Sequence, residues 1–162
     1  MFRKMRRNRQ LLSEKESIEI LNSSTSGTLA VSGDDGYPYA VPLSYVYHDG
    51  KIFFHCAKTG HKLDAIKSNS KVSFCVIAQD KIVPEEYTTY FRSVIVFGQA
   101  RIMDNDDEIR AAIKLLAEKY YPEDNEEHRN EMIEKEHAAL CMVEIDIEHM
   151  TGKEAIELVK KR

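Results

Sequence analysis

The run Tyr37-Pro38-Tyr39-Ala40-Val41-Pro42-Leu43-Ser44-Tyr45-Val46-Tyr47-His48-Asp49-Gly50-Lys51-Ile52-Phe53-Phe54-His55-Cys56-Ala57 decides the fold class. Its β-branched and aromatic residues favour strand, and His48-Asp49-Gly50 has the chemistry of a tight hairpin turn. A second turn of the same kind, Asp34-Asp35-Gly36, separates this run from Thr28–Ser32 upstream. Three strands, Thr28–Ser32, Tyr37–Tyr47 and Lys51–Ala57, therefore follow one another as a meander. Pro38 and Pro42 cannot donate to a ladder, so their strand is expected at an edge, bulged or partly unpaired.

Upstream, Ser13 followed by Glu16 forms a capping-box pattern that opens a short helix reaching Leu21. Downstream, Thr59 to Ser68 reads as a second short helix with Thr59 at the capping position. Lys71 to Ala78 and Thr88 to Met103 return to strand, and Gly98 marks a bend or bulge in the latter. Ile109, Ile113, Leu116 and Tyr120 recur at helical spacing, capped from within Asp104–Asp107 and ended by Pro122. A polar helix over Glu126–Lys135 follows. Cys141 to Glu148 then alternates as a half-buried strand, and the tail after Gly152 has room for a short helix. About six strands joined by Asp-Gly hairpins imply a mainly β chain, a closed or nearly closed barrel with added helices. Its organisation reads as a basic arm over 1–12, one barrel domain over 13–152 and a tail over 153–162.

A formal net charge of -4 argues against binding nucleic acid through a broadly basic surface. No apolar run reaches the roughly 18–20 residues that span a bilayer, and no signal-type apolar stretch follows the basic start, so a cytoplasmic setting is expected. Cys56, Cys75 and Cys141 lie far apart among apolar neighbours, which suits reduced core thiols, and no zinc spacing is present. Arg3, Lys4, Arg6, Arg7 and Arg9 leave two readings of the arm: a mobile segment drawn to the acidic body, or one that grips a partner.

The chemistry concentrates in Phe54-His55-Cys56-Ala57-Lys58-Thr59-Gly60-His61-Lys62, a strand that turns into a helix start. A helix amino terminus carries partial positive charge and unpaired N–H groups, so Lys58, His61 and Lys62 are unfavourably placed there unless an anion joins them. A phosphate would meet backbone donors from Gly60 onward and two or three cationic side chains. Spacing alone equally allows Lys58 and Lys62 to point into water, and the stretch is neither a P-loop nor a dinucleotide fingerprint. Serine-elbow, HExxH and special carboxylate spacings are missing. The acidic stretches Asp104–Glu108 and Glu123–Glu127 read as solvated caps and faces.

Three motifs in order, Gly36-Tyr37-Pro38-Tyr39-Ala40-Val41-Pro42-Leu43-Ser44-Tyr45, then Phe54-His55 with Gly60-His61-Lys62, then Tyr90-Phe91-Arg92-Ser93-Val94-Ile95-Val96-Phe97-Gly98, resemble the pyridoxamine 5'-phosphate oxidase-like flavin proteins. Within them the chain is most similar to the nitroimidazole-resistance branch. The resemblance implies a split β-barrel that forms a homodimer with FMN at the subunit interface. It places Val41, Pro42, Leu43 and Ser44 along the flavin ring, and His55 and Cys56, with Ala57 and Lys58 following, beside it. His61 and Lys62 match the basic pair on the FMN phosphate, usually Arg-Lys, and Ser93 a position that reaches FMN from the other subunit. Histidine in place of arginine implies a grip that varies with pH.

The end Glu157-Leu158-Val159-Lys160-Lys161-Arg162 lacks the Arg-x-His segment of the vitamin B6 oxidase, so oxidation of pyridoxamine phosphate is not expected. The resemblance implies instead an oxidoreductase in which a small-molecule donor such as NAD(P)H reduces FMN, which then reduces a small acceptor, nitroaromatics among the candidates. His55 would donate a proton or hydrogen bond to that acceptor; the plainer alternative for His55 is a core or interface histidine. A non-catalytic dimeric module that stores flavin, or holds haem through His55 or His61, is the competing expectation. Tyr37, Tyr39, Tyr45, Tyr47 and Tyr90 read as exposed aromatics suited to a subunit contact.

Overall fold

The computed structural model describes all 162 residues. After a 3-10 turn at Asn8–Gln10, helix α1 (Glu14–Ser23) leads into strand β1 (Ser26–Ser32). The hairpin at Asp34–Gly36 returns the chain as β2 (Pro38–Ser44), which continues after one residue as β3 (Val46–His48) and turns into β4 (Lys51–Cys56). Next come α2 (His61–Ser68), β5 (Lys71–Val83), β6 (Thr88–Ile102), α3 (Asp106–Tyr120), α4 (Glu126–His137), β7 (Cys141–Glu154) and α5 (Ile156–Val159).

The strands form one antiparallel seven-stranded sheet in the order β2-β1-β5-β6-β7-β4-β3. The expected single strand Tyr37–Tyr47 is divided at Tyr45, and its halves sit at opposite ends of that order. Its first half pairs with β1 and its second with β4. The barrel is thus closed by the covalent chain rather than by a ladder between β2 and β3. Pro38 and Pro42 do lie on a strand with one neighbour.

Tyr45 holds the crossing. Its ring is buried edge-on to Phe74, with centroids 5.0 Å apart, and its hydroxyl donates to the Leu21 carbonyl at 2.7 Å. Its backbone N–H donates to the Tyr120 hydroxyl at 3.0 Å, and Lys119 Nζ stands 4.1 Å above its ring. Tyr45 and Tyr90 are therefore buried, and the expectation that both are exposed contact aromatics is corrected; Tyr37 alone of the five is mostly bare.

Two apolar cores result. The barrel interior takes Leu29 and Val31 from β1, Phe54 from β4, Phe74 and Val76 from β5 and Val143 and Ile145 from β7, with Leu21 of α1 and Leu63 of α2. A second core packs Val46, Phe53 and Met142 against Ala112, Ile113 and Leu116 of α3 and Ile133 of α4. Strand β4 is covered on both faces, which explains its unbroken apolar run Ile52-Phe53-Phe54.

Several boundaries differ from expectation. Helix α2 begins at His61, with Gly60 rather than Thr59 at the cap, because Gly60 takes a φ of 151° that disfavours any side chain. Strand β7 runs on to Glu154, where the buried carboxylate is met by Arg92 at 3.0 Å and Arg162 at 2.6 Å. The 1–12 segment lies along the barrel: Phe2 stacks on His149 with centroids 4.7 Å apart, and the Gln10 amide donates to the Glu154 carbonyl at 2.8 Å. All three cysteines are free and half-buried, and Cys75 faces outward rather than into the core. No helix is long and apolar enough to cross a membrane.

Candidate functional site

Two features adjoin at β4. At its end the chain leaves the sheet through Ala57, Lys58, Thr59 and Gly60, all exposed, and enters α2. No side chain caps that helix; the first intrahelical bond runs from Asp64 N–H to the Gly60 carbonyl at 3.1 Å, leaving the preceding donors for another acceptor. A Cβ on Gly60 would meet nothing within 4 Å, so the approach to these donors is open. Lys58 is exposed, Lys62 half-buried, and the His61 ring stacks on Tyr39 with centroids 4.2 Å apart. The β1–β2 hairpin packs against this turn: a Cβ on Gly33 would lie 3.3 Å from His61 Nε2, and Asp34 approaches the same nitrogen at 3.8 Å.

Cys56 stands directly opposite Cys141 in the β4–β7 register. Burial, reinforced by Cys141, pushes its thiol up to about 11, while the Lys62 charge opposes the rise. Such a thiol is an inert wall at neutral pH.

The second feature is a cavity of about 570 Å³ between the barrel and α3–α4. Ser44, at the end of β2, and His55, exposed on the outer face of β4, both line it. Ile113, Leu116, Met132, Ile133 and Leu140 supply apolar walls. At its rim His128 Nδ1 meets the Asp124 carboxylate at 2.7 Å, and Arg129 Nη2 lies 3.3 Å from the Tyr121 carbonyl and 3.2 Å from that of Asp124. The Asp124 side chain is only 10% exposed, so part of the acidic stretch read as a solvated face is built into this wall.

Thus Ser44 and His55 come together in the cavity, and Lys58, His61 and Lys62 at the helix start. Val41 and Leu43 turn toward the barrel core, whereas Pro42 and Ser44 project outward. Ser93 is half-buried on β6, opposite Ile77 and Lys153, with β1 and β5 between it and β2. Within one chain it joins neither group. Ser93 shares with Pro42 an outer face crossed by the rows Pro42, Thr28, Cys75, Ile95, Thr151 and Ala40, Ala30, Ser73, Phe97, His149. Asp34 beside His61, and His128 and Arg129 at the cavity, carry no sequence signal of a site, whereas Tyr39 lies within the Gly36–Tyr45 motif and Tyr120 on the apolar face of α3.

Solved structures share this architecture. A conserved hypothetical protein of Mycobacterium tuberculosis superposes with a TM-score of 0.80 at 23% identity, over 93% of this chain and 90% of that one. A putative 5-nitroimidazole antibiotic resistance protein of Bacteroides thetaiotaomicron gives 0.73 at 17%, over 88% and 85%. The FAD- and haem-binding protein of Mycobacterium smegmatis gives 0.74 at 21%, over 91% and 73%. No curated protein matches the sequence significantly. These likenesses show the fold, a mainly β split barrel. The family model described as pyridoxamine 5'-phosphate oxidase matches residues 13–154, from the α1 cap to the end of β7, and the chain belongs to that family.

Proposed function

We propose that this protein is an FMN-dependent oxidoreductase that works as a homodimer, taking electrons from a small-molecule donor and delivering them to a small acceptor. The uncapped amino terminus of α2, framed by Lys58, His61 and Lys62, carries this proposal. Three basic side chains oppose the helix dipole there, and a phosphate dianion converts that repulsion into charge-assisted hydrogen bonds. The open space over Gly60 and the free donors beyond it fit such a group.

A bound flavin would supply hydride and single-electron chemistry. The chain's own residues supply the rest. Lys58, His61 and Lys62 neutralise the phosphate. Strand β2, paired on one side only, presents Val41 to Ser44 with an unpaired backbone edge to the ring. Cys56 and Ala57 flank it without titrating at neutral pH, and His55, in the cavity wall, donates a hydrogen bond or proton to an acceptor oxygen. Exposed Ile95 and Phe97 give the outer face an apolar patch for the second subunit, through which Ser93 reaches the partner's flavin. Names among the structural neighbours, an FAD-binding protein of Mesorhizobium loti and the FAD- and haem-binding protein above, support a flavin at this fold.

The test is an anaerobic titration of FMN-loaded protein with NADH and NADPH, followed by a panel of small acceptors including nitro compounds. Bleaching of the flavin band, restored by an acceptor, is expected. A flavin that binds and is reduced by neither donor overturns the oxidoreductase assignment, and a Soret band without flavin uptake favours the haem module.

A further inference from the structure

We infer that the cavity between the barrel and α3–α4 binds an apolar monocarboxylate, with Arg129 of α4 as the group that takes its carboxylate. That this ligand is the electron acceptor rests on the flavin proposal; its binding does not. About 570 Å³ holds one or two rings and falls within the range of small-molecule sites. Ile113 and Leu116 of α3, Met132 and Ile133 of α4, and Leu140 wall it with apolar atoms, so a ligand's hydrocarbon body would leave water on entry. Ser44 and His55 line it from the barrel.

Arg129 sets the class of ligand. Its side chain is half-buried in this wall and pairs with no carboxylate. Nη2 donates to the Tyr121 carbonyl at 3.3 Å and the Asp124 carbonyl at 3.2 Å, both at the long end for such bonds. Nε is buried without an acceptor, and Nη1 meets no protein group. A guanidinium drawn this far out of water and met by two carbonyl dipoles lacks the acceptor that its planar fork fits best, a carboxylate. The Asp124 carboxylate does not fill that role, because it is turned to His128 Nδ1 at 2.7 Å. Bracing the turn between α3 and α4 uses Nη2 alone and leaves Nε and Nη1 over. Glu136 is the other carboxylate of the lining, and seven residues on it starts about 10 Å further along α4. It disfavours a second negative charge at the ligand's far end, so a dicarboxylate fits less well.

NMR titration of the full chain at neutral pH tests this with 4-methylbenzoate, its neutral isostere 4-methylbenzamide and the dicarboxylate terephthalate. The flavin-free protein should bind 4-methylbenzoate at least about tenfold more tightly than the amide, the scale of one hydrogen bond to a charged group. It should bind terephthalate at least about threefold more weakly than 4-methylbenzoate, and Glu136→Gln should recover that loss, a gain that misfolding cannot mimic. Arg129→Gln should bring acid and amide within about twofold of each other with the amide affinity kept, whereas Arg129→Lys should retain a preference for the acid of about threefold or more. The double alanine variant of His61 and Lys62 should bind 4-methylbenzoate within about twofold of wild type; a loss there would place the carboxylate at the α2 turn and overturn the assignment. Equal or weaker binding of the acid than of the amide, equal binding of terephthalate, a preference that survives Arg129→Gln, or equal weakening of acid and amide by it would also overturn it. The expected preference in a protein that takes up no flavin would uphold the pocket and remove the oxidoreductase reading, and flavin turnover without that preference would do the reverse.

Discussion

Replacing His61 and Lys62 together by alanine should weaken FMN binding by about a hundredfold while barely affecting riboflavin. Both residues open α2, whose amino terminus has no side-chain cap. Lys62 is half-buried, and a hydrogen bond from such a cation to a phosphate contributes about 1.5–3 kcal/mol. The His61 side chain is 38% exposed and already near Asp34, so its share is screened to about 1 kcal/mol or less. Together they amount to about 3 kcal/mol, or roughly two orders of magnitude in Kd. The backbone donors after Gly60 survive the substitution, so binding is weakened, not abolished. Quenching of flavin fluorescence measures both ligands on the same protein. The difference between wild type and variant should narrow as salt is raised from about 0.05 to 0.5 M, because the contacts are partly open to solvent. An FMN affinity that falls by less than about fivefold, or a riboflavin affinity that falls as far as that of FMN, would refute the electrostatic account.

His55→Ala should keep FMN affinity within about threefold and slow acceptor reduction by about a hundredfold, the usual scale of a general acid; stopped-flow reoxidation of the reduced flavin measures it. Glu154→Ala should cost about 2 kcal/mol in urea unfolding: the buried carboxylate is lost, but Arg92 and Arg162 are about two-fifths exposed and recover hydration. Burial raises the Cys56 thiol, so the folded state resists its ionisation, and stability present below the ordinary thiol range should drain away as pH rises toward about 11. Cys56→Ala should flatten that alkaline slope in urea titrations between about pH 9 and 11; an unchanged slope contradicts the assignment. Gly98→Ala should destabilise by about 2 kcal/mol or more, since the new Cβ would lie 2.3 Å from the Asp146 carbonyl oxygen at the β6–β7 bulge; the urea midpoint checks it.

The hairpins were legible because Asp-Gly turns and β-branched alternation are local signals, and α1 because Ser13 and Glu16 form their capping box within four residues. The crossing at Tyr45 was not. Nothing in Val41 to Tyr47 marks where the pairing partner changes, because the interactions that fix it come from Leu21 and Tyr120, far away in the chain. Buried tyrosines also look exposed when only their polarity is read; Tyr45 and Tyr90 hide their rings and satisfy their hydroxyls at Leu21 and Glu86. The last six residues of β7 escaped notice because Glu154 breaks the apolar alternation, and its counter-charges lie on β6 and at the carboxyl terminus. The basic turn at Lys58 to Lys62 could be read as a phosphate cradle from charge and helix polarity alone. The cavity could not, because α4 carries only two adjacent apolar residues, Met132 and Ile133, and so shows no apolar stripe at helical spacing.

Closure of the barrel at Tyr45 also bears on how the chain could be rewired. β2 and β3 share no ladder, so a circular permutant opened between Ser44 and Tyr45 would retain every strand pairing. A linker joining Met1 to Arg162 would have to run along β7 from His149, on which Phe2 stacks, to Glu154, which Arg162 meets. What the permutant would lose is the covalent link across the seam: the segment carrying Val41 to Ser44 would become a free terminus, held by its ladder to β1 alone.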